Sequence, residues 1–165
     1  PFSIDFGVGD VIVPKQEKRK IPTQLDDFTS PTVNTYSLET TIAEKLDAIL
    51  DLMEFSSRMK DYYDIYYLAN KFDFDGKVLT EALKKTFENR GHAFTIEQFE
   101  QVMAFAENDA MQKKWKAFCR KIDTKTDDFD TVLKTIKEFL AEPFTTTVEN
   151  KEFEEKWSAA DGEWM

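Results

Sequence analysis

The sequence predicts an α+β fold that is mostly α, with short antiparallel strands at the N-terminus followed by a five- to six-helix bundle. Three observations carry this. Residues 2–13 alternate at strand period. After Tyr36 the apolar spacing changes to that of amphipathic helices. The chain of 165 residues is 41% hydrophobic with 15 Phe, 5 Tyr and 3 Trp, which is enough apolar area for a core of its own.

Taking the elements in order, Phe2, Ile4 and Phe6 fall on one strand face and Ser3 and Asp5 on the other. Gly7, Gly9 and Asp10 supply a turn, and Val11-Ile12-Val13 a returning strand. Residues 14–30 are polar, carry Lys15, Lys18, Arg19 and Lys20, and read as a loop; Thr32 to Thr35 reads as a further short strand. Ser37 is placed to cap a helix to about Glu54, with Ile42, Leu46, Ile49 and Met53 as its stripe. Ser57 caps a second helix to about Asn70, with Tyr62, Ile65, Leu68, Ala69 and Phe72 apolar. Asp75-Gly76 introduces a third, through Leu79, Leu83 and Phe87 to Gly91. Thr95 opens a fourth, Asn108 or Asp109 a fifth, and Asp127 or Asp128 a last helix stopped by Pro143. Residues 144–165 lack a sustained period and read as a docked or frayed tail. The expected organisation is a strand-and-loop unit over 1–36, a helical domain over 37–143 and a C-terminal tail over 144–165.

With 22 basic and 32 acidic residues the formal net charge is −10, which disfavours a general electrostatic grip on nucleic acid or an anionic membrane. A local basic patch remains compatible with RNA. No apolar run is long enough to span a membrane, and there is no signal peptide at the start. Cys119 is the single cysteine, so no internal disulfide can form; this fits a reducing compartment, and a cytoplasmic location is the expectation. The chain opens directly on a strand pattern, from which removal of an upstream segment is expected.

Two charged residues fall where the helices call for apolar ones. At about 100° per residue, Lys45 lies between Ile49 and Leu52 on the first helix. On the second, Asp61 lies close to Phe72, Ile65 and Leu68, with Arg58 on the same face and Asp64 at its edge. Buried charge is costly unless paired. The structural reading is an ion pair, Lys45 with Asp61 or Asp64, between consecutive antiparallel helices, or a Lys45 that snorkels out. The functional reading is a phosphate-binding lysine held by an acidic neighbour. Asp5, on the polar strand face, is either a solvent-facing aspartate or a divalent-metal ligand or acid–base group. His92, the only histidine, reads as solvated in a loop, and Cys119 as structural. No glycine-rich phosphate loop of either common spacing occurs.

The segment Ala43-Glu44-Lys45-Leu46 and the segment Arg58-Met59-Lys60-Asp61-Tyr62-Tyr63-Asp64-Ile65-Tyr66-Tyr67-Leu68 together resemble the paired helical signatures of the AbiEii/AbiGii nucleotidyltransferase toxin family. Ile4-Asp5-Phe6-Gly7 is similar to that family's third acidic strand, and the resemblance covers about residues 2–91. It implies transfer of nucleotide from an NTP with Mg²⁺, an RNA acceptor such as tRNA, and a cognate antitoxin. It also implies roles for Asp5 as the third carboxylate and metal ligand, Lys45 as a triphosphate contact with Arg58 beside it, Asp61 as the acidic partner, and Asp64 as the motif's second aspartate. The family's first motif, a Gly-Ser turn and a strand bearing two carboxylates one residue apart, has no match in this chain. The chain is therefore expected to be the C-terminal part of such a toxin, to lack activity alone and to bind neither Mg²⁺ nor NTP tightly. The rival expectation is a non-catalytic helical module that binds a protein partner.

Overall fold

A computed structural model describes residues 9, 11–23, 25, 27–122 and 126–165. Two short antiparallel strands come first, β1 (Glu17–Lys20) and β2 (Thr32–Thr35), in the register Glu17↔Thr35 to Lys20↔Thr32. Helices α1 (Leu38–Leu52) and α2 (Met59–Lys71) follow. Next come strand β3 (Phe74–Asp75) and helices α3 (Gly76–Arg90), α4 (Ile96–Met103), α5 (Asp109–Ile122) and α6 (Phe129–Val148). Strands β4 (Lys156–Ser158) and β5 (Glu163–Trp164) complete a three-stranded sheet in the order β3-β4-β5.

The helix starts are chemically specified. Ser37 Oγ accepts from Thr40 N, Asp75 from Lys77 N and Val78 N, and Asp128 from Thr131 N. Thr95 and Gln98 form a reciprocal capping box at α4. Gly91 ends α3 at φ 70°, a left-handed conformation that glycine adopts without cost. Helix α1 packs between α2 and α3, with α6 across them. Ile42, Leu46, Tyr62, Ile65, Leu79, Leu83, Phe139 and Phe144 are fully buried in one continuous core. The segment before α1 is pinned by Val13, whose N–H donates to Thr40 Oγ1 and whose carbonyl accepts from the Ser37 and Thr40 hydroxyls.

Several sequence expectations need correction. Residues 11–13 form no strand, whereas Glu17–Lys20, read as loop, pairs with β2; residues 2–8 lie outside the described residues. Helix α1 stops at Leu52, and residues Met53–Phe55 form a 3₁₀ turn with Met53 at φ 47°. Arg58 rather than Ser57 precedes α2, without a side-chain cap. Pro143 does not stop α6, which runs on to Val148. A proline leaves an unpaired carbonyl one turn earlier, but here its ring is buried, so packing offsets that loss. Residues after Phe144 are docked rather than frayed: Phe153 and Trp157 are buried, and Trp157 Nε1 donates to Ala69 O at 2.7 Å.

Candidate functional site

The two segments that stood out in the sequence meet at the α1–α2 crossing. Lys45 Nζ lies 3.1 Å from Asp61 Oδ1 and 2.6 Å from Asp64 Oδ2. Arg58 Nε lies 2.6 Å from Asp61 Oδ2, and Lys60 Nζ 2.6 Å from Asp64 Oδ2. Three cations thus alternate with two carboxylates. The sites differ in solvent access: the side chain of Asp61 is 4% exposed, those of Lys45 and Asp64 17% and 19%, and that of Arg58 58%. Burial pushes the Lys45 pKa down, but the hydrogen bonds and charges of Asp64 and Asp61 outweigh it and hold it above the ordinary lysine value. The lysine is a fixed cation with one side toward solvent. Among the described residues Asp61 Oδ2 makes no hydrogen bond, its contact with Arg58 being one of charge alone, and the neighbouring buried Tyr62 hydroxyl has no partner. Burial, then the Asp61 charge, raises the Tyr62 pKa.

The structure therefore brings together Lys45, Asp61, Asp64 and Arg58. Asp5 lies outside the described residues.

Sequence reasoning missed a second polar cluster on the opposite side of α1. Asp47 is 1% exposed, accepts from Arg90 Nη1 at 2.9 Å, and lies 2.8 Å from His92 Nδ1. His92 Nε2 sits 3.7 Å from Asp51 Oδ1, so this histidine is held against a buried carboxylate rather than merely solvated. The signal was present. Asp47 follows Ala43 by four positions and precedes Leu50 by three, which puts it on the buried face at helical spacing.

Mg²⁺ requires oxygen ligands in a tight octahedron. The Asp61 and Asp64 carboxylates are already turned onto cations, and among the described residues no group of three or more His, Cys, Asp or Glu could hold a metal ion. The described residues do not fit this metal.

Geometry of this kind is shared by structural ion pairs and by phosphate sites; comparison with known proteins gives the family. A family model described as "Nucleotidyl transferase AbiEii toxin, Type IV TA system" matches residues 1–135. The chain belongs to the AbiEii family. No curated protein and no solved structure matches it. As an AbiEii chain it falls among nucleotidyltransferase toxins of type IV toxin–antitoxin systems, in which an antitoxin is the cognate partner. The matched span includes the whole Lys45–Asp61–Asp64 cluster and ends within α6. None of the described helices is long and apolar enough to cross a membrane.

Proposed function

We propose that this chain supplies the helical side of the nucleotide site of an AbiEii toxin. In the intact toxin an acceptor hydroxyl, on an RNA such as tRNA, bonds to the α-phosphorus of an NTP. The bond to the β-phosphate oxygen breaks, pyrophosphate leaves and the hydroxyl proton passes to water. Lys45 stabilises phosphate charge, Arg58 adds a second and more exposed cation, Asp61 fixes the Lys45 ammonium, and Asp64 shares that ammonium at the solvent edge. Asp5 is the proposed carboxylate from the strand side. Mg²⁺ belongs to the intact site; this chain, without a match to the family's paired carboxylates, is proposed to bind Mg²⁺ and NTP weakly and to transfer nothing alone.

The observation that supports the reading is a half-buried lysine held by two aspartates, within the stretch that the family model matches, with one side still open to solvent. Lys45→Ala in the whole toxin is expected to lower nucleotide transfer about 10²-fold, as loss of one preorganised charge does. The double variant Lys45→Met with Asp61→Leu separates a site from a lock. It restores apolar packing between α1 and α2, so a purely structural pair would leave transfer intact. Full activity in a folded Lys45→Ala toxin would remove Lys45 from the mechanism. If the double variant also retained antitoxin binding and transfer, the helical region would be an interaction module.

A further inference from the structure

Helix α5 departs from the charge of the chain that carries it. The protein is at −10, yet this one helix bears Lys113, Lys114, Lys116, Arg120 and Lys121 against a single acid, Asp109. Lys113, Lys116, Arg120 and Lys121 are exposed on its outer face. Six lysines elsewhere find carboxylates, as Lys137 does with Glu100 at 2.5 Å. The α5 cations do not: Lys114 donates to the backbone carbonyls of Glu54 and Ser56, and Arg120 to that of Lys116. Among the described residues none of the five is ion-paired.

An aromatic shelf adjoins this face. Tyr63 and Tyr67 of α2 stack with ring centroids 6.3 Å apart and planes 24° apart, and Tyr63 meets Phe118 of α5 at 5.9 Å. Tyr67 is 48% exposed. Beside them Tyr63, Tyr66, Tyr67, Thr126 and Asp127 line an open groove of about 340 Å³. The Tyr66 hydroxyl donates to Asp127, a carboxylate that would turn phosphates away from the groove floor but accept from base amino groups. The shelf is also continuous with the Lys45 cluster: Lys60, which pairs with Asp64, lies one turn of α2 before Tyr63 and two before Tyr67.

We propose that the α2–α5 face is a docking track for a single-stranded polynucleotide, with bases stacked on Tyr67 and Tyr63 and backbone phosphates along the outer face of α5. An exposed ring, Tyr67, stacked on the half-buried Tyr63 beside unpaired cations suits a strand whose bases are unstacked, because rings take any base and cations follow the backbone. This rests on the nucleotidyltransferase reading, since the track leads a strand toward Lys45. An acidic protein segment would use the cations but leave the rings idle.

The test is binding of a fluorescein-labelled 12-nucleotide single-stranded RNA to the full chain, followed by anisotropy over a range of salt. Binding without Mg²⁺ or NTP is expected, with affinity falling as a power of salt near −2 to −3, about 0.7 for each phosphate held. Lys113→Glu/Lys116→Glu/Arg120→Glu is expected to abolish it. Tyr67→Ala is expected to weaken it about ten-fold and Tyr67→Phe to leave it, because the ring and not the hydroxyl is the stacking surface. Helicity by circular dichroism keeps misfolded variants from counting. Failure to bind at low salt, equal binding of duplex, full insensitivity to Tyr67→Ala, or equal competition by poly-glutamate would overturn the proposal, the last in favour of an acidic protein. Each arm reads binding alone, so a chain that binds RNA yet has a Lys45→Ala variant active in transfer would sink the nucleotide-site reading and leave this one standing.

Discussion

Two tyrosines one turn apart on α2 show how differently a hydroxyl can be placed. Tyr62 is fully buried against Phe129, its hydroxyl without a partner. Burying a hydroxyl without a hydrogen bond costs free energy, so Tyr62→Phe is expected to raise stability by about 1 kcal/mol, read from the urea midpoint at unchanged slope. A loss of stability would show that the hydroxyl has a partner in solution. Tyr66, at the edge of the aromatic groove, donates to Asp127. Burial, and then the bond to and charge of Asp127, push its pKa up to about 12. A raised acid pKa means that the protonated form is the one the fold favours. Its contribution is complete below the ordinary tyrosine value of 10 and fades as pH rises to about 12. Ultraviolet titration at alkaline pH should show Tyr62 and Tyr66 both ionising late, and Asp127→Asn should bring the Tyr66 phenol alone earlier.

At the scale of elements, the tightest approach is at the start of α3. A Cβ on Gly76 would lie 2.5 Å from Phe153 Cδ1 and 2.6 Å from the Glu155 carbonyl oxygen, and the Gly76 N–H donates to that same oxygen at 2.8 Å. The glycine is needed for room rather than for unusual torsion. Gly76→Ala is therefore expected to destabilise by about 1–3 kcal/mol and to loosen β4 from β3, seen as faster exchange of the amide at position 76, which bonds to the Glu155 carbonyl. The helices were legible because each cap is local chemistry: Ser37, Asp75, Thr95 and Asp128 announce themselves within four residues. Of the small strands only Thr32–Thr35 was, and the pairings were not. Pairing of Glu17–Lys20 with Thr32–Thr35 and of Phe74 with Trp157 depends on partners distant in sequence, and four basic or polar residues in a row carry no alternation to read. The Lys45–Asp61 pairing was legible because charge on an apolar stripe is locally anomalous. Asp47 carried the same local anomaly and was overlooked; its partners, Arg90 and His92, arrive from another helix end and could not be read locally.

For the whole molecule, the core does not stop where the family match does. Residues 136–165 lie past the match, yet Phe139, Phe144 and Trp157 are buried with Ile42 and Leu79 in one cluster. Trp157 packs on Phe139 at 5.0 Å and donates to Ala69 O. Trp157→Ala is expected to cost about 3–5 kcal/mol, with thermal unfolding remaining one cooperative transition because the core is undivided. Two transitions would show that the C-terminal strands form a separate unit.

Helix α1 carries Lys45 toward α2 and, two positions later, Asp47 toward α3 and the turn after it. With charged pegs on opposite flanks, this helix is keyed like a shaft between two slots. It can shift along its axis or rotate only by withdrawing both pegs together, so whatever engages Lys45 from solvent pulls on a helix whose far side is fastened at Arg90 and His92. A phosphate held there would meet a rigid mount rather than a compliant arm.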